Sequence, residues 1–251
     1  MPSKWIKSTK KIKNAEAKLF CLPFAGAGAM AYANWHRYFG WDVEVCPILL
    51  PGRESRISEP LIADAAEIAE EIYHGIQSEL GEHFYIFGHS MGGIIAYELS
   101  QIIKWHENRY PEILFMSATT LKMPPKEKNI YEYSEEELAR HLANSGGTYA
   151  ELLENREFRE CYFPIIRNDY KLSETYISTV PKIGCKIHAF ASKEDREIGY
   201  EQTLRLADYT DDFEITFFQG DHFYVKSSEE EICRKVYELI RSSRPAAESA
   251  K

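Results

Sequence analysis

The sequence is poor in the features that mark secreted, membrane-spanning and metal-stabilised proteins. Its five cysteines are odd in number and show no C-x-x-C spacing, which disfavours a disulfide framework, a structural zinc site and a redox pair. No segment approaches the ~18 consecutive apolar residues that a membrane span needs. These absences predict a soluble protein of the reducing cytoplasm that holds no metal.

Clustered positive charge is also scarce. The formal net charge is −9, which leaves no footprint for nucleic acid or for an anionic membrane surface, and we expect neither as a partner. A basic N-terminal stretch is the exception, but the long apolar run that a signal peptide requires does not follow it. We therefore expect residues 1–17 to be a mobile lead-in. We also expect the chain to be a monomer.

Short β-rich runs alternate with helical stretches along most of the chain. This alternation is typical of an α/β fold with a mostly parallel central sheet flanked by helices. An apolar content of 44% is enough for one large core. The sequence thus predicts a single domain over residues 18–241 and a frayed tail over 242–251. The strand candidates are Lys18–Leu22, Val43–Leu50, Phe84–Phe87, Ile113–Met116, Ile187–Phe190 and Phe213–Phe218.

Residues 121–176 interrupt this alternation. The segment has no convincing strand, and a capping box formed by Ser134 and Glu137 opens one of its helices. Such an insertion is either a lid over the functional site or a surface excursion. Its many aromatic side chains favour a small helical lid, since exposed helices seldom carry that much apolar surface.

A candidate nucleophile follows the third strand candidate. Gly88-His89-Ser90-Met91-Gly92 matches G-x-S-x-G and lies between an apolar β-run and a helix with an apolar stripe. This strand, turn and helix order is that of a nucleophile elbow and disfavours a chance match. Ser90 is the predicted nucleophile, and the backbone N–H of Met91 is expected to face the developing oxyanion.

A serine hydroxyl needs a neighbouring base, and an acid to orient that base. In this fold the order along the chain is serine, acid, histidine. His222 directly follows the last strand candidate and is the predicted base, a surface-loop histidine being the alternative. Glu194 and Asp195 both follow the preceding strand, and Asp195 is the preferred acid while Glu194 stays open.

The glycine-rich loop Pro23–Gly28 follows the first strand candidate. In this position it is expected to supply the second oxyanion donor. The phosphate-binding interpretation fails because neither G-x-x-x-x-G-K-[ST] nor G-x-G-x-x-G is present.

With these residues in place, the chain resembles the type II thioesterases that accompany nonribosomal peptide and polyketide synthases, a family of α/β-hydrolases. The resemblance runs from about Lys18 to Ile240. The shared landmarks are Leu22–Gly26, Trp35, Leu50–Arg56, Phe87–Gly93, Gly146–Thr148, Phe163–Tyr170, Glu174–Tyr176 and Gly220–Phe223.

The resemblance implies a thioesterase that removes stalled or wrong acyl groups from the phosphopantetheine arm of acyl or peptidyl carrier proteins. These carriers are its transient partners, and the enzyme needs no cofactor of its own. Carried over by position, Ser90, Asp195 and His222 are the catalytic triad. The N–H groups of Ala25 and Met91 form the oxyanion hole.

Three questions remain open at the level of sequence. The triad does not distinguish thioester from ester or water from another acceptor, so a small-molecule carboxylesterase or an acyltransferase is the alternative. A non-catalytic receptor that keeps the same fold is a second alternative to the thioesterase interpretation. Carrier proteins are usually acidic, so local basic residues near the lid are expected to dock them, with simple solvated lysines as the alternative. The docking candidates are Lys122, Lys126 and Lys128.

Overall fold

A six-stranded parallel sheet forms the centre of the structure, a computed structural model that describes residues 3–7, 10–124, 126–146, 150–178 and 182–244. The strand order is β2-β1-β3-β4-β5-β6, and every neighbouring pair is parallel. The predicted α/β fold is confirmed, and each strand candidate overlaps one observed strand. The strands are β1 (Ala17–Leu22), β2 (Val43–Pro47), β3 (His83–His89), β4 (Ile113–Ser117), β5 (Lys186–Ser192) and β6 (Phe213–Phe218).

Helices connect successive strands, as parallel pairing requires. In the part of the chain that the structure describes, no helix is both long and apolar enough to cross a membrane. The α-helices are α1 (Ala65–Ile76), α2 (Met91–Glu107), α3 (Glu135–Ser145), α4 (Ala150–Glu154), α5 (Arg156–Thr175), α6 (Tyr200–Leu204), α7 (Tyr224–Ser227) and α8 (Glu229–Ser243). Short 3₁₀ helices cover Ala29–Tyr32, Trp35–Arg37, Glu54–Arg56, Gln77–Glu79, Ile130–Glu132 and Arg205–Tyr209.

Burial explains the strand composition. The four central residues of β3, Phe84–Phe87, are all at most 1% exposed, because apolar clusters pack against the sheet from both sides. A strand covered on both faces reads as a continuous apolar run rather than an alternating one. Parallel strands also end at a common edge, so the loops after β3, β5 and β6 meet there.

The regular secondary structure in the described part of the insertion between β4 and β5 is all helical and includes α3, α4 and α5. It has an apolar cluster of its own, separate from those that cover the sheet. The cluster is built from Ile130, Leu138, Leu142, Leu153, Phe163 and Ile166, with Tyr133, Phe158 and Tyr170 packed against it. Most of the aromatic side chains that suggested a lid thus serve its internal packing; Tyr149 lies outside the described residues.

The N-terminal segment differs from the mobile lead-in expected over residues 1–17. Trp5 is 5% exposed, and its carbonyl accepts the Leu49 amide at 2.8 Å. Ile6 forms an antiparallel bridge with Ile48. The indole of Trp5 covers apolar surface beside α1, which outweighs the cost of ordering a short basic segment. Of the predicted tail, residues 245–251 lie outside the described residues.

Candidate active site

The backbone at Ser90 has the sharp turn of a nucleophile elbow. Ser90 has φ 54° and ψ −122°, a sparsely populated conformation that surrounding contacts must hold. Its amide donates to the Ser117 carbonyl at 2.8 Å. A Cβ on Gly88 would lie 2.1 Å from the Gly92 carbonyl oxygen, so only glycine allows β3 and α2 to meet this closely. The turn projects the Ser90 hydroxyl from the edge of the sheet.

Ser90, His222 and Asp195 form one line of hydrogen bonds. The Ser90 Oγ and His222 Nε2 atoms are 3.0 Å apart, and the His222 Nδ1 and Asp195 Oδ2 atoms are 2.9 Å apart. Asp195 and His222 are both buried. With Nδ1 donating to the carboxylate, Nε2 is left to accept the serine proton, which is the arrangement that nucleophilic catalysis needs.

The Asp195 carboxylate is held from its other side. Its Oδ1 atom accepts the amides of Glu197 at 2.9 Å and Ile198 at 3.0 Å. These two bonds fix the plane of the carboxylate, so that Oδ2 faces the His222 ring.

Glu194, the alternative acid, has a different contact set. Its Oε2 atom accepts the Ser192 hydroxyl at 3.1 Å and the Gly220 amide at 2.6 Å. The Glu194 carboxylate therefore ties the loop after β5 to the loop after β6, while the contact with the His222 ring belongs to Asp195.

The two predicted oxyanion donors border one cleft together with Ser90. Ala25 and Met91 both line it. The Ala25 amide lies inside a turn closed by the bond from Ala27 N to Phe24 O at 3.0 Å. Neither donor amide has a hydrogen-bond acceptor within the described ranges, so both are available to a developing negative charge. Met91 is also the first residue of α2, where the helix dipole adds positive potential.

His89 precedes the nucleophile in the chain, which does not fit the order serine, acid, histidine, and the structure gives it a supporting place. Its Nε2 atom donates to the His222 carbonyl at 2.9 Å, and its Nδ1 atom accepts from the Ser117 hydroxyl at 2.9 Å. Burial first, and then the neighbouring His222, hold the pKa of His89 well below its ordinary value. His89 is thus a neutral strut between the nucleophile strand and the backbone of the base. The variable position of G-x-S-x-G was the only sequence signal for it.

The rest of the cleft has both apolar and polar side chains, the polar ones including Thr119 and Ser173. Apolar side chains of α2 and of the insertion line it, among them Ile94, Ile130 and Tyr170. Lys126 lies at its border and pairs with Glu174 at 2.8 Å. No cluster suited to a metal ion occurs among the residues that the structure describes.

Of the lysines expected to dock a carrier, two have internal partners. Lys126 pairs with Glu174, and Lys128 pairs with Glu137 at 2.7 Å. Lys122 is exposed. The structure therefore places part of the expected positive charge in ion pairs of the insertion itself.

Comparisons with known proteins agree with this geometry. The model of the thioesterase domain matches residues 17–240. The chain is 30% identical over 242 residues to the gramicidin S biosynthesis protein GrsT of Aneurinibacillus migulanus, which covers 95% of this chain and 94% of that protein. It is 32% identical over 225 residues to the human medium-chain S-acyl fatty acid synthase thioesterase, covering 85% and 83% of the two.

Solved structures give the same picture. The type II thioesterase BorB from the borrelidin biosynthetic cluster superposes with a TM-score of 0.85 and 28% identity, covering 94% of this chain and 98% of that one. ClbQ from the colibactin pathway gives a TM-score of 0.84 at 27% identity, covering 90% and 98%. The resemblance inferred from the sequence motifs is thereby confirmed: the chain belongs to the thioesterase family, serine hydrolases of the α/β-hydrolase fold.

Proposed function

We propose that this chain hydrolyses acyl thioesters carried on the phosphopantetheine arm of acyl or peptidyl carrier proteins. Ser90 is the nucleophile, His222 the general base and Asp195 the residue that orients the base. The observation that carries the proposal is the line of hydrogen bonds through these three side chains, which ends in a cleft lined by Ala25 and Met91.

Acylation follows from this geometry. His222 Nε2 takes the proton of Ser90 as Oγ attacks the thioester carbonyl, and the negative charge moves to the carbonyl oxygen. The Ala25 and Met91 amides stabilise that oxyanion, while Asp195 stabilises the imidazolium that has formed. The C–S bond then breaks, and the proton held on His222 passes to the departing thiol.

Deacylation repeats these steps with water. His222 removes a proton from a water molecule that attacks the acyl-serine ester, and a second oxyanion forms at the same two amides. When the ester bond breaks, His222 returns its proton to Ser90 Oγ, which releases a carboxylic acid and restores the enzyme.

The relatives support a biosynthetic setting. GrsT is named for gramicidin S biosynthesis and BorB for the borrelidin cluster, so we propose that the substrates are aberrant or stalled acyl groups of a nonribosomal peptide or polyketide synthase. Release of fatty acyl chains is the second candidate, because the human fatty acid synthase thioesterase is similar to the same degree. Both candidates share a carrier-bound thioester.

The working unit is proposed to be a monomer in the cytoplasm that contacts its carrier transiently. The three proposed triad residues and both amides lie in one chain, which is compatible with activity as a monomer. The proposed reaction is also complete with amino-acid side chains and water, without a cofactor.

Replacement of Ser90 by alanine tests the proposal. The experiment follows acid release from a panel of acyl-loaded carrier proteins, acyl pantetheines and p-nitrophenyl esters, with detection of the acyl-serine adduct by mass spectrometry. We expect turnover of carrier-bound thioesters to fall at least ~10³-fold in Ser90→Ala, and no adduct to form. Ser100→Ala is the matched control, since Ser100 is a buried serine of α2 whose hydroxyl bonds to the Ala96 carbonyl.

Two outcomes would contradict the proposal. Near-normal turnover in Ser90→Ala would show that Ser90 is not the nucleophile. A wild-type enzyme that hydrolyses p-nitrophenyl esters well but no carrier-bound thioester indicates a carboxylesterase instead.

A further inference from the structure

We propose that Arg53 and Asp169 are positioning residues that hold the Ala25 amide in the oxyanion hole, and that they thereby couple the lid helix α5 to the chemical step. The inference rests on the proposed function. Nothing in the sequence gave either residue a role, although each lies within a family landmark.

The Ala25 amide belongs to a turn with two available conformations. The turn spans Phe24–Ala27, and Gly26 at its third position has φ +74°, as a type II turn requires. A type I turn exchanges the Ala25 carbonyl and the Gly26 N–H, and leaves the Ala25 N–H, which belongs to the preceding peptide, unturned. Contacts to Gly26 and Ala27 therefore hold the Ala25 amide by fixing the conformation and position of the turn that carries it.

Asp169 makes the contact to Gly26. Its Oδ2 atom accepts the Gly26 amide at 2.8 Å. In the flipped turn the Ala25 carbonyl would face this carboxylate and be repelled by it. The side chain of Asp169 is 1% exposed, so water does not weaken the preference.

Arg53 holds the carboxylate and the far side of the turn together. Its Nη1 and Nη2 atoms donate to Asp169 at 2.8 and 2.9 Å, a bidentate pair of the strongest kind. Nη1 also donates to the Ala27 carbonyl at 2.9 Å. One guanidinium thus positions the acceptor of the Gly26 amide and grips the next residue of the turn directly.

The insertion is linked to the turn through α5, because Asp169 is a residue of α5. A Cβ built on Gly26 would lie 3.0 Å from Ile166 Cγ1, so α5 rests directly on the turn. Tyr170, the next residue of α5, lines the cleft. A shift of α5 therefore moves the acceptor of the Gly26 amide together with a wall of the cleft.

A purely structural role for the ion pair predicts a different contact pattern. The nearby pair of Arg56 and Glu59 is of that kind: Arg56 is buried and donates to the Leu49 carbonyl and to Glu59, with no contact to the turn among the described residues. The Asp169 pair instead ends on the amide that directly follows the Ala25 donor.

The test compares Asp169→Asn with Glu59→Gln, which replaces the acidic partner of the other buried arginine in the same segment. Hydrolysis of a short acyl pantetheine thioester, too small to report on carrier docking, separates kcat from KM. We expect Asp169→Asn to lower kcat by roughly 10- to 100-fold, part of the effect of losing one oxyanion donor, with KM changed by less than about 3-fold. Glu59→Gln should keep kcat within about 2-fold.

A trifluoromethyl ketone supplies an independent readout, because Ser90 adds to it and its oxygen becomes an oxyanion. The affinity of this ketone should fall in Asp169→Asn by the same factor as kcat. Ground-state binding is measured separately in the Ser90→Ala background, where a thioester should bind equally well whether or not Asp169→Asn is also present. Arg53→Lys keeps the charge but loses the bidentate geometry, and should shift kcat in the same direction; it decides the matter if Asp169→Asn does not fold.

Loss of activity in the wild-type protein would reject the proposed function and not this inference. With wild-type turnover intact, a kcat of Asp169→Asn or Arg53→Lys equal to that of Glu59→Gln overturns the positioning role. The positioning role is also overturned if the affinity for the unreacted thioester falls by the same factor as the affinity for the trifluoromethyl ketone.

Discussion

Replacement of Asp195 by asparagine should disable the base without disturbing the fold. The Oδ1 atom of Asp195 accepts two backbone amides, from Glu197 and Ile198. In the variant, the amide oxygen has to stay in this place, because turning the NH₂ group toward two N–H donors would leave all three groups unpaired. The NH₂ group therefore faces His222 Nδ1 and makes it an acceptor.

The size of the effect follows from the tautomer. An imidazole that accepts at Nδ1 carries its proton on Nε2, the atom 3.0 Å from Ser90 Oγ, and so cannot remove the serine proton. In serine proteases the same change lowers kcat by about 10⁴-fold. Because two amides hold the wrong orientation here, we expect a loss of roughly 10³- to 10⁴-fold, about 4–6 kcal/mol in the barrier.

Single-turnover acylation with a short acyl thioester measures this directly, with thermal unfolding as a check on the fold. The matched control is Glu194→Gln, at the adjacent position in the same loop, whose carboxylate bonds to Ser192 and Gly220 rather than to His222. We expect the control to lose less than about 10-fold. A loss below 10-fold in Asp195→Asn, or an equal loss in Glu194→Gln, would refute the assignment of the acid.

Two further predictions concern stability. Gly88→Ala should cost roughly 3 kcal/mol or more, since its Cβ meets backbone at 2.1 Å, while Gly199→Ala, where the nearest atom is a glutamate oxygen at 3.3 Å, should be nearly neutral; equal melting temperatures would contradict this. Burial, opposed by the charge of Glu214, lowers the pKa of His188 to about 4. The unfolded state therefore binds more protons than the folded state between pH 4 and about 6.5. The free energy of unfolding should fall by up to about 3 kcal/mol as the pH drops through that window. Denaturant unfolding at pH 7 and 4.5 should show a smaller drop for His188→Gln, and an unchanged drop would assign the proton uptake elsewhere.

Most of the fold could be predicted from local sequence patterns. Strands such as β3 contain short, wholly apolar runs, here Phe84–Phe87, and the shortness of these runs favours a strand over a buried helix. The serine elbow was predictable because its glycines and its position between strand and helix are consecutive in the chain. His222 and Asp195 were predictable from the order of strands, and the structure brings both side chains to Ser90. We propose above that they act there as general base and orienting acid.

Contacts between distant segments were not predictable. Arg53 and Asp169 are 116 positions apart, and no periodicity or spacing links them. Trp5 likewise looked like part of a polar lead-in, since its burial depends on a surface that exists only after α1 and β2 have formed. In each case the free energy comes from tertiary packing, which a single sequence does not display.

The separate apolar cluster of the insertion has a consequence for how this enzyme can change over evolutionary time. Its members are packed mainly against one another and not against the sheet. Changes at Leu138 or Leu142 can repack the insertion from within, whereas a change at Ile166, which lies against Gly26, reaches the turn that carries Ala25. Selection for new substrates therefore has more freedom at the first two positions than at Ile166.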